Sequence, residues 1–170
     1  VLINNDIEVT ENWLWPLIEI MENDKSIAAC MPKILSYNNK EYFEYAGAAG
    51  GFIDILGYPF CRGRILNKIE KDEGQYNNTI RVFWTTGACM IISSKAYFEA
   101  GGLDPIFFAH MEEIDLCWRL LALGYKNICY PNSSVYHIGG GTLPVSPLKI
   151  YYNYRNSLYL LAKNLPFKFY

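Results

Sequence analysis

Residues 1–35 constrain the fold most, because their hydrophobic period changes twice. "VLIN" is a short apolar run that stops at the polar "NND", which reads as a core strand ending in a loop. Trp13, Leu14, Leu17, Ile18 and Met21 then recur at helical spacing. Asn12 is the expected N-cap, which puts Pro16 in the first turn, where its missing N–H costs nothing. "SIAACMPKIL" returns to a strand, expected to break at Pro32. Strand, helix and strand in succession point to layered α/β packing.

From Ser36 to Asn78 the pattern weakens. Glycines at 47, 50, 51, 57, 63 and 74 suggest long loops around short strands, and loops of that length serve as lids or binding loops. The tyrosines and phenylalanines among them argue for packing. Order returns at "IRVFWTTGACMIIS", two apolar runs around Thr85-Thr86-Gly87. Ser94 is expected to cap a short helix closed by Gly101 and Gly102. Ile114, Cys117, Trp118 and Leu121 mark one face of the next helix, which ends near Gly124. "KNICYP" and "SSVYHI" read as two short strands, "GGGT" as a flexible loop, and Pro147 to Asn164 as a helix. The expected fold class is therefore α/β with a mixed sheet, divided into a body over 1–146 and a helical tail over 147–170.

Composition narrows the function. With 170 residues, 51% hydrophobic and 19% charged, the chain can bury one sizeable core and is not a disordered segment. A net charge of -2 supplies no basic footprint, so nucleic acid is not an expected partner. Fourteen tyrosines suit sugars, bases and protein interfaces equally. The five cysteines form no C-x-x-C pair and sit in apolar runs, as reduced thiols do in a cytoplasmic protein. No run reaches the roughly 18 apolar residues of a membrane span. Lys149, Arg155, Lys163 and Lys168 among aromatics fit either an interfacial helix, in peripheral contact with the inner face of a membrane, or a helix packed on the domain.

Three places concentrate chemistry. Asp6 follows a strand end, where ligands bind in open α/β sheets, and with Asn4 it has the oxygen chemistry of a hard divalent cation. The competing reading is an Asx-turn. In "HMEEIDLCWRLLALGY", Glu112, Glu113 and Asp115 precede a helical pattern although the segment before them is apolar and aromatic. Asp115 can pair with Arg119, and acidic residues complement the helix dipole. Adjacent glutamates project about 100° apart, so one is structural and the other faces a cleft where burial tunes it as a base. His137 closes a strand before Gly139-Gly140-Gly141-Thr142, as a packed histidine or as a ligand for a metal or phosphate.

Taken in order, "VLINNDIEVTENWLWPLI", the stretch from "TTGACMIISS" to "YHIGGGT", and "YYNYRNSLYLLAKN" resemble the inverting nucleotide-sugar glycosyltransferases of family 2. The subgroup resembled is the rhamnosyltransferase-like enzymes of bacterial cell-surface polysaccharide synthesis. The resemblance implies a GT-A fold, with Asn4-Asn5-Asp6 in place of the family's D-x-D element. Asp6 would then bind Mg²⁺ or Mn²⁺ on the sugar-nucleotide diphosphate, with His137 approaching it and Asn4 a weak ligand. Glu113 falls where the family has the aspartate of its E-D pair, the catalytic base, and glutamate there reaches one methylene further. Trp84, Thr86 and Gly87 would line the acceptor side. The implied partners are a nucleotide-sugar donor and a glycan or lipid-linked glycan acceptor. The family's nucleotide-gripping strands have no counterpart after Val1, so the expectation is the second half of a catalytic domain, inactive in isolation. Two other readings remain: a nucleotidyltransferase-like enzyme using the same carboxylates, and a non-catalytic carbohydrate- or partner-binding module.

Overall fold

The structure is a computed structural model that describes residues 1–45, 47–66, 68–138 and 146–165. The glycine loop after Ile138 and Lys168 of the tail lie outside the described residues. The chain opens with β1 (Leu2–Ile3), β2 (Ile7–Val9), α1 (Trp15–Asn23) and β3 (Ile27–Ser36). β1 is an edge strand with Ile3 45% exposed, not the core strand its apolar run suggests. Asn12 does not cap α1: it takes φ 58°, and the helix starts after Leu14 with no side-chain cap. Pro16 does lie in the first turn.

Nine of the ten β3 residues are buried, which requires cover on both sheet faces. One face holds Ile27 and Cys30 against Leu17 of α1; the other holds Ala28 and Ala29 against Ala96, Leu116 and Leu120. β3 does not break at Pro32. The parallel ladder to the later strand steps from Met31↔Cys129 to Lys33↔Ser134, so Pro32 faces a bulge where its missing N–H interrupts no rung.

Residues 51–69 form a separate meander of β4 (Gly51–Ile53), β5 (Pro59–Cys61), β6 (Arg64–Ile65) and β7 (Lys68–Ile69). Gly51 joins it to the body through Trp84, accepting from Phe83 N at 2.8 Å. A Cβ on Gly51 would lie 2.1 Å from the Trp84 ring, so only glycine allows this approach. Buried Lys33 reaches out of β3 to Asp72 and Asn77, both at 2.6 Å, and ties down the loop that follows the meander.

β8 (Ile80–Val82), β9 (Cys89–Ile92), α2 (Ser94–Glu99) and α3 (Glu112–Ala122) follow, then β10 (Lys126–His137) and α4 (Pro147–Asn164). The cap of α2 is Ser93, whose hydroxyl accepts from Ala96 N, and Ser94 is the first helical residue. "KNICYP" and "SSVYHI" are one strand, because β10 absorbs the polar stretch between them as its bulge. The main sheet runs β1-β9-β3-β10-β2, with β8 also on β10, and only β3–β10 is parallel. α4 packs on the body, with Leu160 in one cluster with Phe107, Ile114 and Cys117. Its Arg155 and Lys163 turn to the 106–107 carbonyls and to Asp104 and Asp115, so both are engaged within the domain. No helix among the described residues is long and apolar enough to cross a membrane. All five cysteines are free and buried.

Candidate active site

Two polar stations carry the candidate chemistry. The first forms where β10 ends beside β2. Ile7 pairs with His137, and Ile138 N donates to Asp6 O at 3.1 Å, which fixes both backbones. His137 Nε2 stands 3.2 Å from Asp6 Oδ1, and Nδ1 stands 3.0 Å from Glu44 Oε2. These are ion-pair distances without hydrogen-bond alignment: both Asp6 oxygens and both ring nitrogens are shielded from solvent and unsatisfied. Buried polar atoms in that state are suited to a further ligand. Burial alone would lower the His137 pKa, but the Glu44 and Asp6 carboxylates outweigh it and hold the imidazole above its ordinary value. Asn4 is exposed and is held through its backbone, N to Ala88 O at 2.9 Å. Among the described residues no group of three or more His, Cys, Asp or Glu is arranged around a metal position.

The second station is a cavity of about 370 Å³ between the meander and α3. Phe60, Arg64, Trp84, Thr86, His110 and Glu113 are among its lining residues, and Asp6 and His137 are not. The cavity thus adjoins the first station without containing it, connected through Glu44–Tyr45 and through Asn4 paired to Ala88. Trp84 donates from Nε1 to Phe52 O at 2.8 Å, and Thr86 Oγ1 accepts from Ala88 N at 3.1 Å. Gly87 lies beneath the Glu113 side chain, its α-carbon open to that packing.

The three acidic residues of α3 separate cleanly. Glu113 lines the cavity, and burial, with the Glu112 charge added, raises its carboxyl to about 8. Glu112 does not line the cavity; burial raises its carboxyl as well, and its Oε2 is shielded and unsatisfied. Asp115 is not among the residues lining the cavity. It is fully buried and accepts from Arg119 at 2.6 and 2.9 Å, Lys163 at 2.9 Å and Asn164 at 2.9 Å. Its four positions of separation from Arg119 put both on one helix face, and α4 completes the node.

Sequence reasoning missed Glu44, His110 and Arg64. Glu44 had a usable signal: a single carboxylate within "YFEYAG" is as out of place as the acidic cluster behind "IFFAH". His110 lines the cavity with φ 70°, and burial, helped by the Lys149 charge, lowers its pKa and keeps the ring neutral.

No protein-family model matches the chain. An N-acetylglucosaminyl-diphospho-decaprenol L-rhamnosyltransferase of Mycobacterium tuberculosis is 34% identical over 88 residues, which is 52% of this chain and 28% of that protein. The O-antigen biosynthesis protein RfbC of Myxococcus xanthus is 27% identical over 143 residues, 81% of this chain and 10% of that protein. The chain therefore spans less than a third of the curated relatives it matches. A crystal structure of GalNAc-T7 with UDP, GalNAc and Mn²⁺ superposes with TM-score 0.61 and 19% identity, covering 92% of this chain and 30% of that one. The fold is GT-A. The GT-A chain is similar in sequence to a named rhamnosyltransferase and in structure to a glycosyltransferase, as its motifs suggest.

Proposed function

We propose that this GT-A chain carries the base and the metal-facing side of an inverting glycosyltransferase, which moves a sugar from a nucleotide-diphospho-sugar to a hydroxyl. The observation that carries the reading is Glu113, the one carboxylate among the residues lining the cavity, with its carboxyl raised by burial to about 8. A single positioned base suits direct displacement, whereas a double displacement of the hydrolase kind needs a second, opposed carboxylate. Glu113 takes the proton from the acceptor hydroxyl. The acceptor oxygen bonds to the anomeric carbon as that carbon's bond to the diphosphate oxygen breaks, and the nucleoside diphosphate leaves with the electron pair. Attack from the face opposite the leaving group inverts the anomeric centre. Trp84 and Thr86 form the acceptor wall, and neutral His110 can exchange hydrogen bonds with a sugar hydroxyl.

The unsatisfied atoms of Asp6 and, once its proton is displaced, of His137 would hold a Mg²⁺ or Mn²⁺ ion, with Glu44 3.0 Å from the other ring nitrogen. Two protein donors are enough for a hard cation that completes its shell with phosphate oxygens and water, and no group of three or more His, Cys, Asp or Glu is needed among the described residues. Such an ion, when bound, offsets charge on the departing diphosphate. The relatives' names favour an acceptor that is a glycan or lipid-linked glycan of cell-surface polysaccharide.

The test uses the protein that carries this chain, a nucleotide-sugar donor and a hydroxyl acceptor. Glu113→Gln should lower transfer by about 10²–10⁴ with donor affinity unchanged. Asp6→Ala should instead abolish metal-dependent transfer and weaken donor binding. Transfer retained by Glu113→Gln, or wild-type turnover undiminished in excess chelator, overturns the corresponding half of the reading.

A further inference from the structure

The loop of residues 106–111 delivers His110 to the cavity and starts α3 at Glu112, yet its backbone is strained. Phe108, His110 and Met111 take φ of 62°, 70° and 72°, a left-handed region that side chains other than glycine rarely enter. Met111 occupies the N-cap position and offers no side-chain cap. Strain of this kind persists only where surrounding structure overrides it, and it gathers at functional sites.

The override comes from α4. Asn156 is fully buried, and its Nδ2 donates to Phe107 O at 2.8 Å, Ala109 O at 2.7 Å and His110 O at 2.7 Å. Arg155 donates to Ile106 O at 3.0 Å and Phe107 O at 3.1 Å. It also donates to Asn156 Oδ1 at 3.0 and 2.9 Å, which fixes the way the amide faces. One turn earlier, Asn153 lines the cavity itself. The same helix therefore meets the acceptor space and grips the loop that leads into the base.

We propose that Arg155 and Asn156 are positioning residues of the transfer reaction, holding the 106–111 loop in the strained shape that presents Glu113 to the acceptor hydroxyl. The inference rests on the role given to Glu113 above. It assigns a reaction role to a side-chain pair on a helix otherwise concerned with packing. The titratable and charged groups around Glu113 are Glu112 and Cys117 on its own helix, His110 on the loop, and Tyr45, Cys61 and Arg64 across the cavity.

The experiment compares Asn156→Ala and Arg155→Ala with Asn164→Ala in the protein carrying this chain. Asn164 ties α4 to Asp115, and its two described bonds leave the loop untouched. Each variant is read by thermal midpoint, by kcat and donor KM, and by carbon-13 titration of the Glu113 carboxyl. Misplacing a reacting group by about 1 Å costs on the order of 10²-fold. Asn156→Ala should therefore lower kcat by about 10–10²-fold with donor KM unchanged. It should also move the Glu113 titration down toward the ordinary carboxylate range, as a loosened loop lets water in. Arg155→Ala should change both in the same direction by less, and it serves alone if Asn156→Ala does not fold. Asn164→Ala should lower only the midpoint. The proposal is overturned if the Asn156 and Arg155 variants behave like Asn164→Ala, losing stability while kcat and the Glu113 titration stay put. Absence of sugar transfer by the wild type would count against the transferase reading, and the titration would still decide whether the pair positions Glu113.

Discussion

Replacing Glu113 by glutamine should stabilise the fold, by an amount that grows with pH. Burial and the neighbouring Glu112 charge raise this carboxyl from 4.5 to about 8. A carboxyl raised on folding holds its proton more tightly in the native state than in the unfolded chain. Its favourable contribution is full below pH 4.5 and is lost as pH rises through about 8, where the native state must ionise a buried group. At about 1.4 kcal/mol per pKa unit, the whole interval corresponds to roughly 5 kcal/mol. Between pH 5 and 7.5 the loss is about 3 kcal/mol, and coupling to Glu112 shares it, so a change of about 1–3 kcal/mol is expected. Glutamine keeps the shape and has no proton to lose. Urea denaturation of both proteins at intervals from pH 5 to 7.5 isolates the effect, because the other titrating groups are common to the pair. The stability difference should widen in favour of the variant as pH rises, while wild-type turnover climbs as Glu113 becomes a free base. A difference that stays constant across that range would refute burial as the origin of the raised pKa.

Two further outcomes follow from packing. Asp115→Asn removes the charge from a fully buried node that faces Arg119 and Lys163, and should cost about 3 kcal/mol, read as a lower urea midpoint, with transfer retained below the transition. Loss of transfer without loss of stability would keep Asp115 among the catalytic candidates. Gly51→Ala sets a methyl against the Trp84 ring and should cost about 1–3 kcal/mol with a change in tryptophan fluorescence; an unchanged spectrum and midpoint would contradict the close approach.

What the sequence made legible was whatever local order encodes. The helix from Pro147 to Asn164 and the acidic start of α3 were readable because the residues that mark them sit within a few positions of one another. The split of β10 into two strands failed because "PNSS" has the composition of a turn, and only its parallel partner makes it a bulge. Pro32 was misjudged for the same reason, since its tolerance depends on what lies opposite. Glu44 was invisible as part of a site because the residue that gives it meaning, His137, lies far along the chain. The division between Glu112 and Glu113 was predictable in kind from helix geometry, but which of them meets the cavity depends on the αL turn at Met111.

The central pairing of β3 with β10 also sets a schedule for synthesis. β3 leaves the ribosome with nearly every side chain destined for burial, and its antiparallel neighbour β9 arrives first. Its parallel neighbour β10 begins about 90 residues after β3 ends, which at ~5–20 residues per second is on the order of ten seconds of waiting. During that interval one long edge of β3, carrying the run "IAACM", stays open to any other extended chain. Expression at low temperature lengthens the wait, and a chaperone that covers extended apolar segments shortens the exposure. Yield of folded protein should therefore depend more on chaperone supply than on the stability of the finished domain.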